Sequence, residues 1–202
     1  MEQTNLVTLI GQIKTIEEVK SVNGRPFSGQ LLTVVTERKS KVLDESTVLI
    51  APELLEHPAE ELEAHTAVLV AGYAQTVRNP DTGKVLVCVL ACVVQKVRGA
   101  YWEPENKVQI AGTLAKKSTH RKTPQGREIA DFLLKVPSVA NKHNSCYIPC
   151  IAWGALAERM AEAEPGQQIR ANGRLQSRNY NKMIGDKNVV RTAYEVSVNE
   201  LG

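Results

Sequence analysis

The sequence predicts an all-β chain of two five-stranded Greek-key barrels in tandem, with one short helix in each. Three observations carry this: the chain is written twice at an offset of about 101 residues, its apolar residues alternate with the period of strands, and a helical pattern surfaces once per copy. At 202 residues, 43% hydrophobic and 23% charged, the chain suits two small soluble domains. No apolar run approaches the roughly 18 residues that a membrane span needs. Met1 to Asn5 lack the basic and apolar segments of an export signal, so the four cysteines are expected as free thiols in a reducing cytoplasm.

The repeat is read residue by residue. Asn5 to Gly11 returns as Asn106 to Gly112, Gly24 and Arg25 as Gly126 and Arg127, and Leu31 to Val34 as Leu133 to Val136. Ile50 and Ala51 match Ile151 and Ala152, while Val68, Gly72 and Gln75 match Ile169, Gly173 and Gln176. Arg98 to Glu105 breaks both patterns with Gly99 and Pro104, which divides the chain into domains 1–98 and 106–202 with a linker over 99–105.

The elements follow in order. The first strand of copy two shows one apolar face (Val108, Ile110, Gly112, Leu114), and so does its second (Ala130, Phe132, Leu134, Val136), with Asp131 and Lys135 opposite. Asn23 with Gly24, Asp81 to Gly83, and Gly185 with Asp186 supply turns. The helix of copy two runs from Ala155 to Ala163, where Leu156 and Met160 fall one turn apart and Pro165 and Gly166 end it. Its counterpart lies between Glu53 and His65, with Pro58 marking a start or an interruption. Val85 to Val94 is apolar on both faces, a strand buried on both sides. Three strands, a helix and two strands in about 95 residues is the order of a barrel of the OB type, so the fold class is two tandem five-stranded OB-fold Greek-key barrels.

Charge divides unevenly. Residues 1–100 carry ten basic against twelve acidic side chains, and residues 101–202 fifteen against ten, so a polyanion would meet the second half. Strand alternation puts Arg174, Gln176, Arg178 and Tyr180 on one face, and Tyr147, Pro149, Ile151 and Trp153 on one face of another strand. Two arginines and a tyrosine in a strip suit a phosphodiester backbone with its bases stacked alongside. Lys116, Lys117, Arg121, Lys122 and Arg127 flank the first hairpin of copy two and would widen the basic track.

Copy two resembles the bacterial single-stranded DNA-binding proteins. The resemblance runs through Asn106, Val108, Ile110, Gly112 and Leu114; Thr123, Pro124 and Gly126; Tyr147, Ile151, Trp153, Gly154 and Leu156; Gly173 to Arg178; and Arg191, Thr192, Tyr194 to Val196. It implies an OB barrel that binds single-stranded DNA without strict sequence preference, in replication, recombination, repair or mobile-element transfer. It also implies base-stacking roles for Tyr147, Trp153 and Tyr180. A further aromatic of the family falls at about Ala140 and is missing here. Family members carry an acidic tail that recruits partners, and this sequence stops at Gly202 after its last strand, so no such recruitment is expected. Relatives with two barrels per chain imply a homodimer with four barrels.

Copy one departs from the pattern. Pro52 and Glu53 stand where copy two has Trp153 and Gly154, and five acids lie between Glu53 and Glu63. Tyr73 is its best candidate contact, and an assembly or weak-binding role is expected. Cys88/Cys92 and Cys146/Cys150 are each spaced four apart, about 13 Å along a strand at roughly 3.3 Å per residue, too far for one zinc ion, so they read as small buried hydrophobes. The sequence carries no Gly-x-Ser-x-Gly, phosphate-loop or paired-acid motif; no catalysis, cofactor or metal is expected. A primosome-type module that docks a helicase or primase, and an OB protein for single-stranded RNA, remain open as alternatives.

Overall fold

The structure, a computed structural model, describes residues 4–22, 24–57, 61–78, 85–99, 101–138, 144–184 and 187–202. The first half contributes β1 (Asn5–Val22), β2 (Arg25–Glu37), β3 (Leu43–Ile50), β4 (Ala67–Arg78) and β5 (Val85–Lys96). Pairing runs β1–β2–β3–β5–β4 and back to β1, which closes a five-stranded barrel; β3 and β5 run parallel and every other pair is antiparallel. The second half contributes β6 (Glu105–Leu114), β7 (Thr119–Lys122), β8 (Glu128–Pro137), β9 (Ser145–Trp153), helix α1 (Ala155–Glu162), β10 (Gln168–Ile184) and β11 (Lys187–Leu201). It closes the same way, β6–β8–β9–β11–β10–β6, with β9 and β11 parallel. Two tandem OB barrels result, as the strand order requires. No helix among the described residues is long and apolar enough to cross a membrane.

Local chemistry explains the differences between the copies. β1 is continuous over 18 residues and bends by register shifts between Ile13 and Thr15 and between Val19 and Ser21. In the second half the equivalent strand is broken after Leu114 and resumes as β7, and Ser118 in the gap donates from Oγ to the Met160 carbonyl at 2.6 Å. That bond ties the broken strand to α1. The helix starts at Gly154, whose φ of +56 favours glycine, and it buries Ala157 and Met160 against the barrel while Leu156 is only partly covered. Among the described residues, the helix expected between Glu53 and His65 is reduced to one 3-10 turn, Pro52–Leu54. Leu55 returns to extended backbone and the Glu56 N–H bonds the Cys92 carbonyl, so the donor that would continue a helix is spent on β5. Pro58 lies outside the described residues.

β5 is buried on both faces through Val87 to Ala91, as its composition implies. Val87, Val89 and Ala91 enter the main core, whereas Cys88 and Leu90 form a second cluster with Leu49 and Ala51, covered by Val22, Phe27, Leu31 and Val77. The main core is contiguous through both halves, from Val7 to Val198.

The halves join by antiparallel pairing of β1 with β6, in the register Asn5↔Ile110 to Ile10↔Glu105. Val7 faces Val108, its own counterpart in the repeat, so a local two-fold axis passes through that pair. Asn5 donates from Nδ2 to the Ala74 carbonyl (3.0 Å) and accepts from the Ala74 N–H (2.9 Å). Asn106 does the same to Leu175, at 2.8 Å in both directions. Each asparagine thereby extends the ladder with β4 or β10 one step past its last backbone pair, Val7↔Gly72 or Val108↔Gly173.

Two outcomes test this packing. A Cβ on Gly173 would collide with the Ser197 carbonyl oxygen, beside the register shift at Asn172. Gly173→Ala should cost about 1–3 kcal/mol, read as a lower urea midpoint at unchanged slope; an unchanged midpoint would contradict the close approach. Burial pushes the Cys88 thiol up to about 12 and also raises Cys150, while Cys92 is only partly buried. A maleimide should therefore label native Cys92 at least about tenfold faster than either, scored by peptide mass spectrometry.

Candidate nucleic-acid interface

Direct cross-strand partners point to the same side of a sheet, so the registers define the outer face of the second barrel. On β10 this face carries Arg174, Gln176, Arg178 and Tyr180; opposite them on β11 stand Ser197, Glu195, Ala193 and Arg191. Ser197 lies beside Ile151 of β9, and Tyr147, Pro149, Ile151 and Trp153 pair with Lys135, Leu133, Asp131 and Ile129 of β8. Thr119 and Arg121 of β7 extend the face beyond Asp131 and Ile129. The two strips expected from alternation are thus one surface across five strands. That continuity comes from the parallel β9–β11 contact, which no sequence pattern announces.

The floor of the face is polar and closed. Glu195, 6% exposed, accepts from Gln176 Nε2 at 2.9 Å and from Arg178 Nε at 3.0 Å. Gln176 is itself 5% exposed, so it orients Glu195 and is covered rather than presented. Trp153 is half-buried, and its indole N–H donates to Ser197 Oγ at 3.3 Å, which fixes the ring plane over the β9–β11 seam. Tyr147 stands out at 48% exposure beside Lys135. Tyr180 is placed by its backbone opposite Arg191; the side chains of both lie outside the described residues.

Other predicted residues divide by position. Arg121 is on the face and bonds Asp131 at 2.7 Å. Lys122 is on the opposite side, with Glu128 at 2.9 Å, because neighbouring strand residues point apart. Its track is therefore separate from that of Arg121, a correction to the single basic cluster expected from sequence. Lys117 pairs with Glu164, which takes it out of that cluster as well. Arg127 projects from the turn, exposed and without an ion pair among the described residues.

Arg174 departs most from expectation. It leans across the junction to Asp44 of β3, Nε to Oδ2 at 3.4 Å, and donates from Nη2 to Gln176 Oε1 at 3.0 Å. Burial and the neighbouring Arg38 guanidinium hold its pKa below the usual arginine range. Asp44, fully buried, is gripped by both nitrogens of the Arg38 fork. Sequence alternation could place Arg174 on the face but could not show that a buried acid 130 residues earlier reaches it.

The equivalent face of the first barrel has a different chemistry. Where β10 and β11 carry Arg178, Glu195 and Ser197, β4 and β5 carry Val77, Cys88 and Leu90, packed in the second apolar cluster. Tyr73, half-buried there, is hydrogen-bonded to the Cys92 sulfur; Cys92, burial and Glu56 together raise its phenol above the ordinary range. Gln75 turns to the junction instead, accepting from the Cys146 thiol at 3.1 Å and donating to Ser138 Oγ at 3.4 Å. Among the described residues no group of three or more His, Cys, Asp or Glu could hold a metal ion.

Residues 105–202 match the model of the Single-strand binding protein family. Single-stranded DNA-binding protein A of Bacillus subtilis is 32% identical over 98 residues, covering 46% of this chain and 57% of that protein. Single-stranded DNA-binding protein 1 of Lactococcus lactis is 32% identical over 87 residues, covering 41% and 58%. The chain thus spans a little over half the length of these curated relatives. The wild-type single-stranded DNA binding protein from Thermus aquaticus has a similar structure, with a TM-score of 0.72 at 21% identity over 100% of this chain and 93% of that one. That likeness extends the shared fold over both barrels. The second half of the chain, residues 105–202, is thus the part that is similar to the single-strand binding protein family.

Proposed function

We propose that this protein binds single-stranded DNA without strict sequence preference, and that the outer face of the second barrel is its main binding surface. The observation that carries the reading is the continuity of that face. An exposed tyrosine, a tryptophan fixed at its edge and arginines over a closed polar floor lie on five adjacent strands. Single strands expose base faces that stack on aromatic rings at about 1–3 kcal/mol each, while the phosphates follow basic groups. Glu195 holds Arg178 in place without covering it, since the arginine side chain stays 31% exposed. Tyr147, Trp153, Arg178 and Tyr180 are the contacts of this reading, Arg121 and Arg127 its extension, and Gln176 its support.

The first barrel, residues 1–98, serves assembly in this reading. Its matching face is filled by Leu49, Cys88 and Leu90 where the second barrel has charge. With the linker over 99–105 and the second barrel over 106–202, a homodimer would bring four barrels to one strand and raise avidity through effective concentration. That face is covered by Val22, Phe27 and Leu31, so a module that docks a helicase or primase is the second reading and would need another surface. A gel shift with labelled single strands and no added protein separates the two, because a docking module would leave the strand unshifted.

Tyr147→Ala should weaken oligo-dT binding by about 1–3 kcal/mol, in a titration followed by quenching of the intrinsic tryptophan fluorescence. Arg178→Ala combined with Tyr180→Ala should lower affinity further and flatten the salt dependence by about 0.7 for each phosphate no longer neutralised. Undiminished affinity in that double variant would remove the assignment of the face. Competition between matched DNA and RNA oligomers decides between the polymers.

A further inference from the structure

The local two-fold axis through Val7 and Val108 generates two further seams between the halves, β3 against β10 and β4 against β9. Repeat symmetry makes them counterparts, yet their chemistry differs. Among the described residues the β4–β9 seam shows Gln75 bridging Ser138 and Cys146, all neutral groups. The β3–β10 seam opens into a cleft of about 520 Å³ whose wall includes Arg38, Lys39, Asp44, Asn106 and Arg174.

The charges in this cleft are not evenly matched. Arg38 takes both oxygens of Asp44, so Arg174 shares a carboxylate that is already engaged. Arg174 Nε is buried without a hydrogen-bond acceptor, with the nearest carboxylate oxygen at 3.4 Å. Lys39 is exposed at the mouth and makes no ion pair among the described residues. Two other carboxylates line the wall: Glu37 is paired with Lys41, which leaves Glu105 against Arg174 and Lys39. The remaining demand is for an anion with several acceptor oxygens, which a phosphate supplies. Position adds to chemistry. Arg174 begins the row that continues through Gln176 and Arg178, so the cleft lies where the binding face of the second barrel runs out against the first.

We infer that the β3–β10 cleft is a phosphate site, held by Arg38, Lys39 and Arg174, that receives the backbone of a strand passing from one barrel to the other. The inference rests on the DNA-binding reading above for the source of the phosphate.

The test uses the full chain with two oligo-dT lengths, about 8 nucleotides to stay within one barrel's footprint and about 30 to span both. Lys39→Ala should weaken the long oligomer about 3- to 10-fold and lower its salt slope by about 0.7, and leave the short one unchanged. Inorganic pyrophosphate should raise the Tm of the native protein and not of Arg174→Gln. The cleft assignment is overturned if Lys39→Ala binds the long oligomer like the native protein, if it weakens both lengths equally, or if pyrophosphate stabilises Arg174→Gln as well as the native chain. Should the native protein bind neither oligomer yet respond to pyrophosphate through Arg174, the phosphate site stands and the DNA reading falls. If it responds to neither, both fall.

Discussion

The β1–β6 ladder is the constraint on which the rest of the molecule depends. Two barrels of this size could be strung together by a flexible linker; here they share a run of backbone hydrogen bonds centred on Val7 and Val108. Pairing equivalent strands antiparallel imposes local two-fold symmetry, and that symmetry brings β3 to β10 and β4 to β9. Asn5 and Asn106 make the arrangement possible. The β1–β4 and β6–β10 ladders end at Val7 and Val108 while the β1–β6 ladder runs on, which would strand the backbone groups of Ala74 and Leu175, and one amide side chain satisfies both groups in each case.

On this shared frame the two copies have diverged at the same positions. The outer face of the second barrel keeps its polar groups because Glu195, Gln176 and Arg178 satisfy one another, so a carboxylate with 6% exposure is tolerated. In the first barrel the same positions are apolar, and the β1–β2 hairpin residues Val22, Phe27 and Leu31 cover them. The unbroken β1 delivers that hairpin. In the second barrel the strand breaks after Leu114, and the shorter β7 leaves the face open. Strand continuity and face chemistry thus change together.

Much of the fold was legible because strands report themselves by alternation. Val108, Ile110, Phe132 and Leu134 all lie in the core, and Val85 to Val94 is buried on both sides at its centre. The helix after Trp153 was legible from Leu156 and Met160, although Ala157 shares the burial that Leu156 only partly attains. Its counterpart was not, because a short acidic stretch with prolines at both Pro52 and Pro58 has helical composition but the Glu56 N–H goes to a neighbouring strand instead. In the candidate site, alternation correctly put Arg174, Gln176 and Arg178 on one face. It was silent on their exposure, and the structure covers Gln176 and turns Arg174 to Asp44. Lys122 shows the limit of composition: beside Arg121 in sequence, it faces the other way.

By itself the sequence determined the two-barrel architecture, the repeat register and the face on which each strand residue falls, because these follow from local periodicity and from the order of elements along the chain. Tertiary structure alone decided which strands become neighbours without being consecutive. The parallel β9–β11 contact, the β1–β6 seam and the Asp44–Arg174 pair each join residues far apart in the chain, and no local pattern encodes them. The charge left over in the cleft between the barrels exists only because folding places two arginines beside one buried carboxylate.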